Sequence, residues 1–179
     1  MFLEKFPYNT KILSDKFPES IPAFIEVTQH SRMKYEWSHL KKALELDRVL
    51  HSAVFYPHNY GFIPQTISGD GDPLDVIDLD PSAVRGSTTP VNIIGGLYFK
   101  DKKETDIKLI AINPKGRFKD IVNIDDLLYE HSAITEILKL WFLNYKKPGK
   151  MVFIKYLNKS ESQGIIEKAH LKWEKKFKN

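Results

Sequence analysis

The chain has no cysteine among its 179 residues. That excludes disulfides, thiolate metal sites and a cysteine nucleophile, and it suits a cytoplasmic protein. No apolar run approaches the roughly 20 residues that cross a bilayer, so no membrane partner is expected. The first seven residues, Met1 to Pro7, lack a basic flank and a long apolar stretch, so no secretory leader is expected. Internal repeats, low-complexity tracts and long linkers are also missing, and the length fits one domain over 1–179. There is no Gly-x-x-x-x-Gly-Lys-[Ser/Thr] loop to cradle a nucleotide.

What is present is an ordinary globular composition, 42% apolar and 28% charged. The net charge of +4 is concentrated at one end. From residue 155 onward there are seven lysines and three glutamates, which is the whole excess, so the other 20 basic and 20 acidic residues balance. A basic terminal helix reads as a solvated face. A nucleic-acid surface would interleave basic and aromatic residues, so no nucleic-acid partner is expected.

The first 20 residues read as irregular, with Pro7 and Pro18 as breakers. Short β-branched and aromatic runs then predict strands at 23–27, 33–37, 44–49, 53–56, 75–79, 91–99, 107–112 and 151–156, with a Gly-, Pro- and Asp-rich loop over 57–73. Ile134, Ile137, Leu138, Trp141, Phe142 and Tyr145 recur at helical spacing behind Ser132 as a cap, and Pro148-Gly149 ends that helix. Ile166, Ala169, Trp173 and Phe177 mark a last helix. Many short strands followed by two helices predict a small β-barrel with helices packed outside.

Several charges fall inside these strands. Lys34 and Glu36 alternate with Met33, Tyr35 and Trp37, so they share one face. Asp106 and Lys108 share a face opposite Ile107 and Leu109. Glu26 and Arg48 interrupt runs that are otherwise largely apolar. Any one of these pairs fits the solvent side of a half-exposed strand. The set gains meaning beside Asp70-Gly71-Asp72-Pro73-Leu74-Asp75, three carboxylates in six residues. Two like charges about 4 Å apart repel by roughly 4 kcal/mol at an effective dielectric near 20, a cost that a hard divalent cation removes. The spacing is not that of an EF-hand, because Leu74, Asp75 and Pro81 occupy its fifth, sixth and twelfth positions. Taken alone, the loop fits an acidic surface turn and a metal site equally well. Asp101 lies in a second acidic stretch that reads as a hairpin tip over 100–105. Tyr56 and Tyr60 flank a Pro-Asn turn and read as core aromatics. Tyr145-Lys146 ends a helix, where lysine has a routine role with the dipole. His58 is a lone turn histidine and is assigned no metal.

Collected in order, these residues resemble the family I soluble inorganic pyrophosphatases of the short, bacterial type. Asp70-Gly71-Asp72-Pro73-Leu74-Asp75-Val76 matches that family's signature. Glu26, the Lys34-Tyr35-Glu36 strand, Asp47-Arg48, the Tyr56-to-Gly61 segment, Asp101, Asp106, Lys108 and Tyr145-Lys146 match its other motifs, in order, over most of the chain. Asp78 and Asp80 depart from it, adding acids where an apolar strand is expected.

The resemblance implies a small closed OB-like five-stranded barrel flanked by two main helices. It implies hydrolysis of pyrophosphate to two phosphates by a metal-activated water, without a phosphoenzyme, using several Mg²⁺ ions. Asp70, Asp75 and Asp106 would hold the tightest metal, with Asp75 bridging to a second. Asp101 and Glu26 would serve metals arriving with substrate, and Glu36 joins the metal-side carboxylates. Asp72 is the candidate general base. Lys34, Arg48, Tyr60, Tyr145 and Lys146 would bind phosphate oxygens, while Tyr56 and Lys108 tune the carboxylates. These seven carboxylates and four cations leave a net charge of −3, which repels an anion unless metal reverses it. The resemblance also implies a homohexamer. Two rival readings are a phosphohydrolase acting on nucleotides or other phosphoesters, and a non-catalytic barrel that binds nucleic acid through its basic tail.

Overall fold

The structure is a computed structural model that describes residues 6–12, 15–38, 40–51, 54–80, 83–101, 104–146 and 149–178. Five strands close into a ring: β1 (Ser20–Val27), β4 (Asn59–Ile63), β5 (Leu74–Asp78), β7 (Glu104–Ile112) and β6 (Thr88–Asp101), with β6 returning to β1. All neighbours are antiparallel except β5 and β7. A hairpin of β2 (Met33–Ser38) and β3 (Ala43–Val49) forms a separate two-stranded sheet, and β8 (Met151–Leu157) extends the ring's sheet from the far part of β6. Three helices complete the chain: α1 (Ile124–Glu130), α2 (Ser132–Asn144) and α3 (Lys159–Phe177).

The ring holds because its strands present apolar residues to both sides. One cluster draws Ile25, Ile63, Val76, Leu109 and Ile93 from all five strands, and α3 joins it through Ile166 and Ala169. Side chains from every strand of a small barrel fill its interior in this way. A second cluster takes Val27, Tyr60, Ile77, Ile110 and Leu97 from the same strands and is covered by Leu127 of α1 and Leu138 and Phe142 of α2. A third gathers Phe24, Phe62 and Trp173. Each fully buried aliphatic side chain contributes about 1.5–3 kcal/mol relative to an exposed one.

Several expectations change. No strand forms at 54–56, and residue 53 lies outside the described residues; the strand in this region is β4, inside the stretch expected to be a loop. Pro57, Gly61 and Pro64 disguise it. Gly61 is required there, since a Cβ would lie 1.8 Å from the Phe24 carbonyl oxygen of the neighbouring strand. The expected cap Ser132 is the first residue of α2 rather than its cap; His131 precedes it and makes no side-chain capping bond. The short α1 was not expected. It starts at a capping box in which Asn123 accepts from Asp125 and Asp126 while the Asp126 side chain accepts from the Asn123 backbone. The packing of α1 on the sheet is tight at Gly95, whose Cβ would lie 2.7 Å from Ile124.

Candidate active site

One face of the ring and its appended hairpin deliver the charged residues to one place. A cavity of about 470 Å³ is lined by Lys34 and Glu36 of β2, Tyr60 of β4, Asp70 and Asp72 of the loop before β5, Asp75 of β5, Asp101 of β6, Asp106 and Lys108 of β7, and Tyr145 and Lys146 after α2. A space of about 300 Å³ shares Lys34, Glu36, Tyr60, Asp72 and Asp75 with it and adds Glu26 and Tyr8. Two expected residues do not line either space. Tyr56 is buried behind it, its ring 5.5 Å from Tyr60 and 4.6 Å from Trp141. Arg48 lies across the hairpin from Lys34 and is held by Asp47 at 2.6 Å.

The parallel register of β5 and β7 sets Asp75 opposite Lys108. The buried Lys108 ammonium pairs with Asp75, lies 2.6 Å from Asp106, and reaches the Tyr60 hydroxyl at 3.4 Å. Burial opposes its charge, but Asp75 and Asp106 outweigh that and raise its pKa. The hairpin repeats the pattern at lower burial: Lys34 pairs with Glu36 and lies 3.4 Å from Asp47. At the far side, Lys146 is 3.6 Å from Asp101.

The acidic loop is closed on itself. Asp70 Oδ1 accepts from the Asp72 N–H at 3.0 Å and from the Ser68 hydroxyl, and the Ser68 N–H donates to the Asp72 carbonyl at 2.7 Å. Gly71 sits at φ +97°, a left-handed turn that suits glycine. Desolvation, then the charges of Asp70, Asp75 and Glu36, raise the pKa of Asp72. Glu26 is only 8% exposed, and its carboxylate accepts from the Trp37 N–H at 2.9 Å. Burial pushes its pKa up to about 8, with Asp75 and Glu36 adding to the shift. Burial likewise keeps Tyr60 and Tyr145 protonated well past neutral pH, so each remains an O–H donor.

Among the described residues, no three Asp, Glu or His side chains converge closely enough to hold an ion as they stand. Lys108 instead occupies the space between Asp75 and Asp106. The donor set is all hard carboxylate oxygen, with no thiolate or histidine, and this is the chemistry that Mg²⁺ selects.

Three residues of the site were not anticipated. Tyr8 comes from the irregular N-terminal segment and stacks on Phe62 with centroids 4.7 Å apart. Lys168 and Lys172 line the larger cavity from α3. Their four-residue spacing was visible in the sequence, but nothing there indicated which way that face turns.

The family model described as inorganic pyrophosphatase matches residues 23–174. The inorganic pyrophosphatase of Nanoarchaeum equitans is 41% identical over 157 residues, covering 86% of this chain and 97% of its own. That of Helicobacter pylori is 38% identical over 160 residues, covering 84% and 90%. The crystal structure of inorganic pyrophosphatase from Thermus thermophilus superposes with a TM-score of 0.85 at 30% identity, over 97% of this chain and 99% of that one. With the signature loop, the closed ring and the carboxylate-lined cavity agreeing, the chain belongs to the inorganic pyrophosphatase family.

Proposed function

We propose that the chain hydrolyses inorganic pyrophosphate to two phosphates by direct attack of water, with no phosphoenzyme, as one domain over 1–179. The observation that supports this most is the cavity where carboxylates, lysines and tyrosines from eight parts of the chain meet. Asp70, Asp75, Asp106, Asp101, Glu26 and Glu36 would hold several Mg²⁺ ions. When bound, those ions supply positive charge for the diphosphate and lower the pKa of water.

The chain's own residues do the rest. Asp72, with its raised pKa and open position, accepts the proton from the attacking water. Lys34, Arg48 and Lys146 contribute charge toward phosphate oxygens, and Tyr60 and Tyr145 contribute neutral O–H donors. Lys108 orients Asp75 and Asp106, and its contact with the Tyr60 hydroxyl ties that donor to the same pair. Tyr56 packs against Tyr60 and fixes its ring. Ile137 and Leu140 on α2 and Val152 and Ile154 on β8 are exposed apolar side chains, which supports a homo-oligomer, a hexamer by the family resemblance. Sedimentation checks this. No helix of the described residues is long and apolar enough to cross a membrane, in keeping with a cytoplasmic site of action.

The test is phosphate release from pyrophosphate, nucleoside triphosphates and a simple phosphoester, each with Mg²⁺ and with chelator. Release from pyrophosphate alone, abolished by chelator, is expected. Equal release from triphosphates or the phosphoester would overturn the substrate assignment.

A further inference from the structure

Five lysines line the larger cavity. Lys34 is offset by Glu36 and Asp47, Lys108 by Asp75 and Asp106, and Lys146 by Asp101. Lys168 and Lys172 differ, since neither pairs with a carboxylate among the described residues. Lys172 donates one hydrogen bond to the Ser68 carbonyl at 3.1 Å, which leaves two of its three N–H donors for another acceptor.

The pair is also rigidly presented. Residues four apart on a helix have Cβ atoms roughly 5–6 Å from each other, so both ammonium groups can reach one tetrahedral oxyanion. α3 is docked through buried Ile166 and Ala169. It is further tied to the segment leading into the acidic loop. The Ile67 N–H donates to the Ala169 carbonyl at 3.0 Å, and His170 Nδ1 meets the Gln65 carbonyl at 2.8 Å. Two uncompensated cations therefore stand at the edge of a cavity whose other cations are already matched.

We propose that Lys168 and Lys172 form a second anion-binding station at the mouth of this cavity, taking a phosphate oxyanion. The proposal rests on the pyrophosphatase reading for its setting. The oxyanion is either a terminal phosphate of arriving pyrophosphate or a departing inorganic phosphate. The station holds it by charge at the rim, outside the reacting centre, so it acts on capture and release rather than on the bond-breaking step.

The experiment compares the full-length chain with K168A/K172A and with K168R/K172R. Calorimetric titration of the Mg²⁺-loaded proteins with inorganic phosphate is the first arm. Affinity in the alanine pair is expected to fall about tenfold and to recover in the arginine pair. The second arm is the rate of Mg²⁺-dependent pyrophosphate hydrolysis against ionic strength. In the alanine pair, kcat/KM at low salt is expected to fall about three- to tenfold with kcat within about twofold, and the difference should vanish at high salt. A loss in kcat/KM assigns the station to arriving substrate; a loss confined to phosphate affinity assigns it to product. Unchanged phosphate affinity together with an unchanged salt profile overturns the proposal. So does an equal loss of kcat and kcat/KM that arginine does not restore. If the wild-type chain hydrolyses no pyrophosphate, the activity reading fails, and the calorimetric arm still decides the station.

Discussion

Strand β5 carries two aspartates three residues apart, and they meet opposite fates. Asp75 faces the cavity, where Lys108 supplies a cation. Asp78 points to the other side and is 1% exposed. Its partners are neutral: the Asp80 N–H at 3.1 Å and the Asn59 amide at 3.3 Å. Burial outweighs those bonds and pushes the Asp78 pKa up to about 6. Asp80 is also buried and accepts from the Arg117 N–H at 3.2 Å, which fixes the turn after β7. On this strand the aspartate that faces the cavity is paired with a cation, and the one on the opposite side is held by amides. The acids that departed from the family pattern are structural, and those of the signature loop face the cavity.

The largest effect that sharpens this contrast is at Asp72. Asp72→Asn should preserve the fold and Mg²⁺ binding but reduce turnover by roughly 10²–10⁴-fold, the range for a lost general base. Steady-state phosphate release near the wild-type rate would remove Asp72 from that role. Next, Asp75→Ala should raise the Mg²⁺ concentration needed for half-maximal rate by at least about tenfold. An unchanged Mg²⁺ titration would break the idea that the cavity side of β5 is the metal side.

On the other side of the strand, Asp78→Asn should leave turnover within about twofold and change pH-dependent stability instead. Between the ordinary value of 3.8 and about 6, folded Asp78 keeps a proton that the unfolded chain releases. Its contribution to stability therefore falls as pH rises through that window, by on the order of 3 kcal/mol. The variant should lose this slope in denaturant-midpoint measurements, and an identical pH profile would contradict the assigned burial. An effect of similar size and opposite sign is expected at neighbouring His58. Burial lowers its pKa from 6.5 to about 4. Across that interval the unfolded chain holds the extra proton, so this contribution rises with pH, opposite in sign to that of Asp78. The two oppose each other from about pH 4 to 6, and His58→Gln should uncover the falling limb that Asp78 produces. A profile that still rises with pH in this variant would count against the pairing.

Much of the site was legible because strand alternation is a local rule. Lys34 with Glu36, and Asp106 with Lys108, share faces in the structure as their spacing requires, and their ion pairs show it. The signature loop was contiguous and so could be read directly. What was hidden depended on partners distant in the chain. β4 is a strand because β1 and β5 pair with it on both sides, despite local residues that favour turns. The seven residues of α1 are too few to display a helical period. The amide partner of Asp78 is Asn59 on the neighbouring strand, and the direction of Lys168 and Lys172 follows from the docking of α3. Neither is encoded in nearby residues.

Closure of the ring has a kinetic consequence. It pairs Ser20 of β1 with Asn92 of β6, and the cavity needs Glu26, Asp75 and Lys108 from three of the ring's strands together. Such distant pairings are slow to form, because loop-closure entropy is lost before any contact repays it. No single hairpin or isolated helix brings these three residues together, so recovery of activity during refolding is expected to lag behind the return of secondary structure.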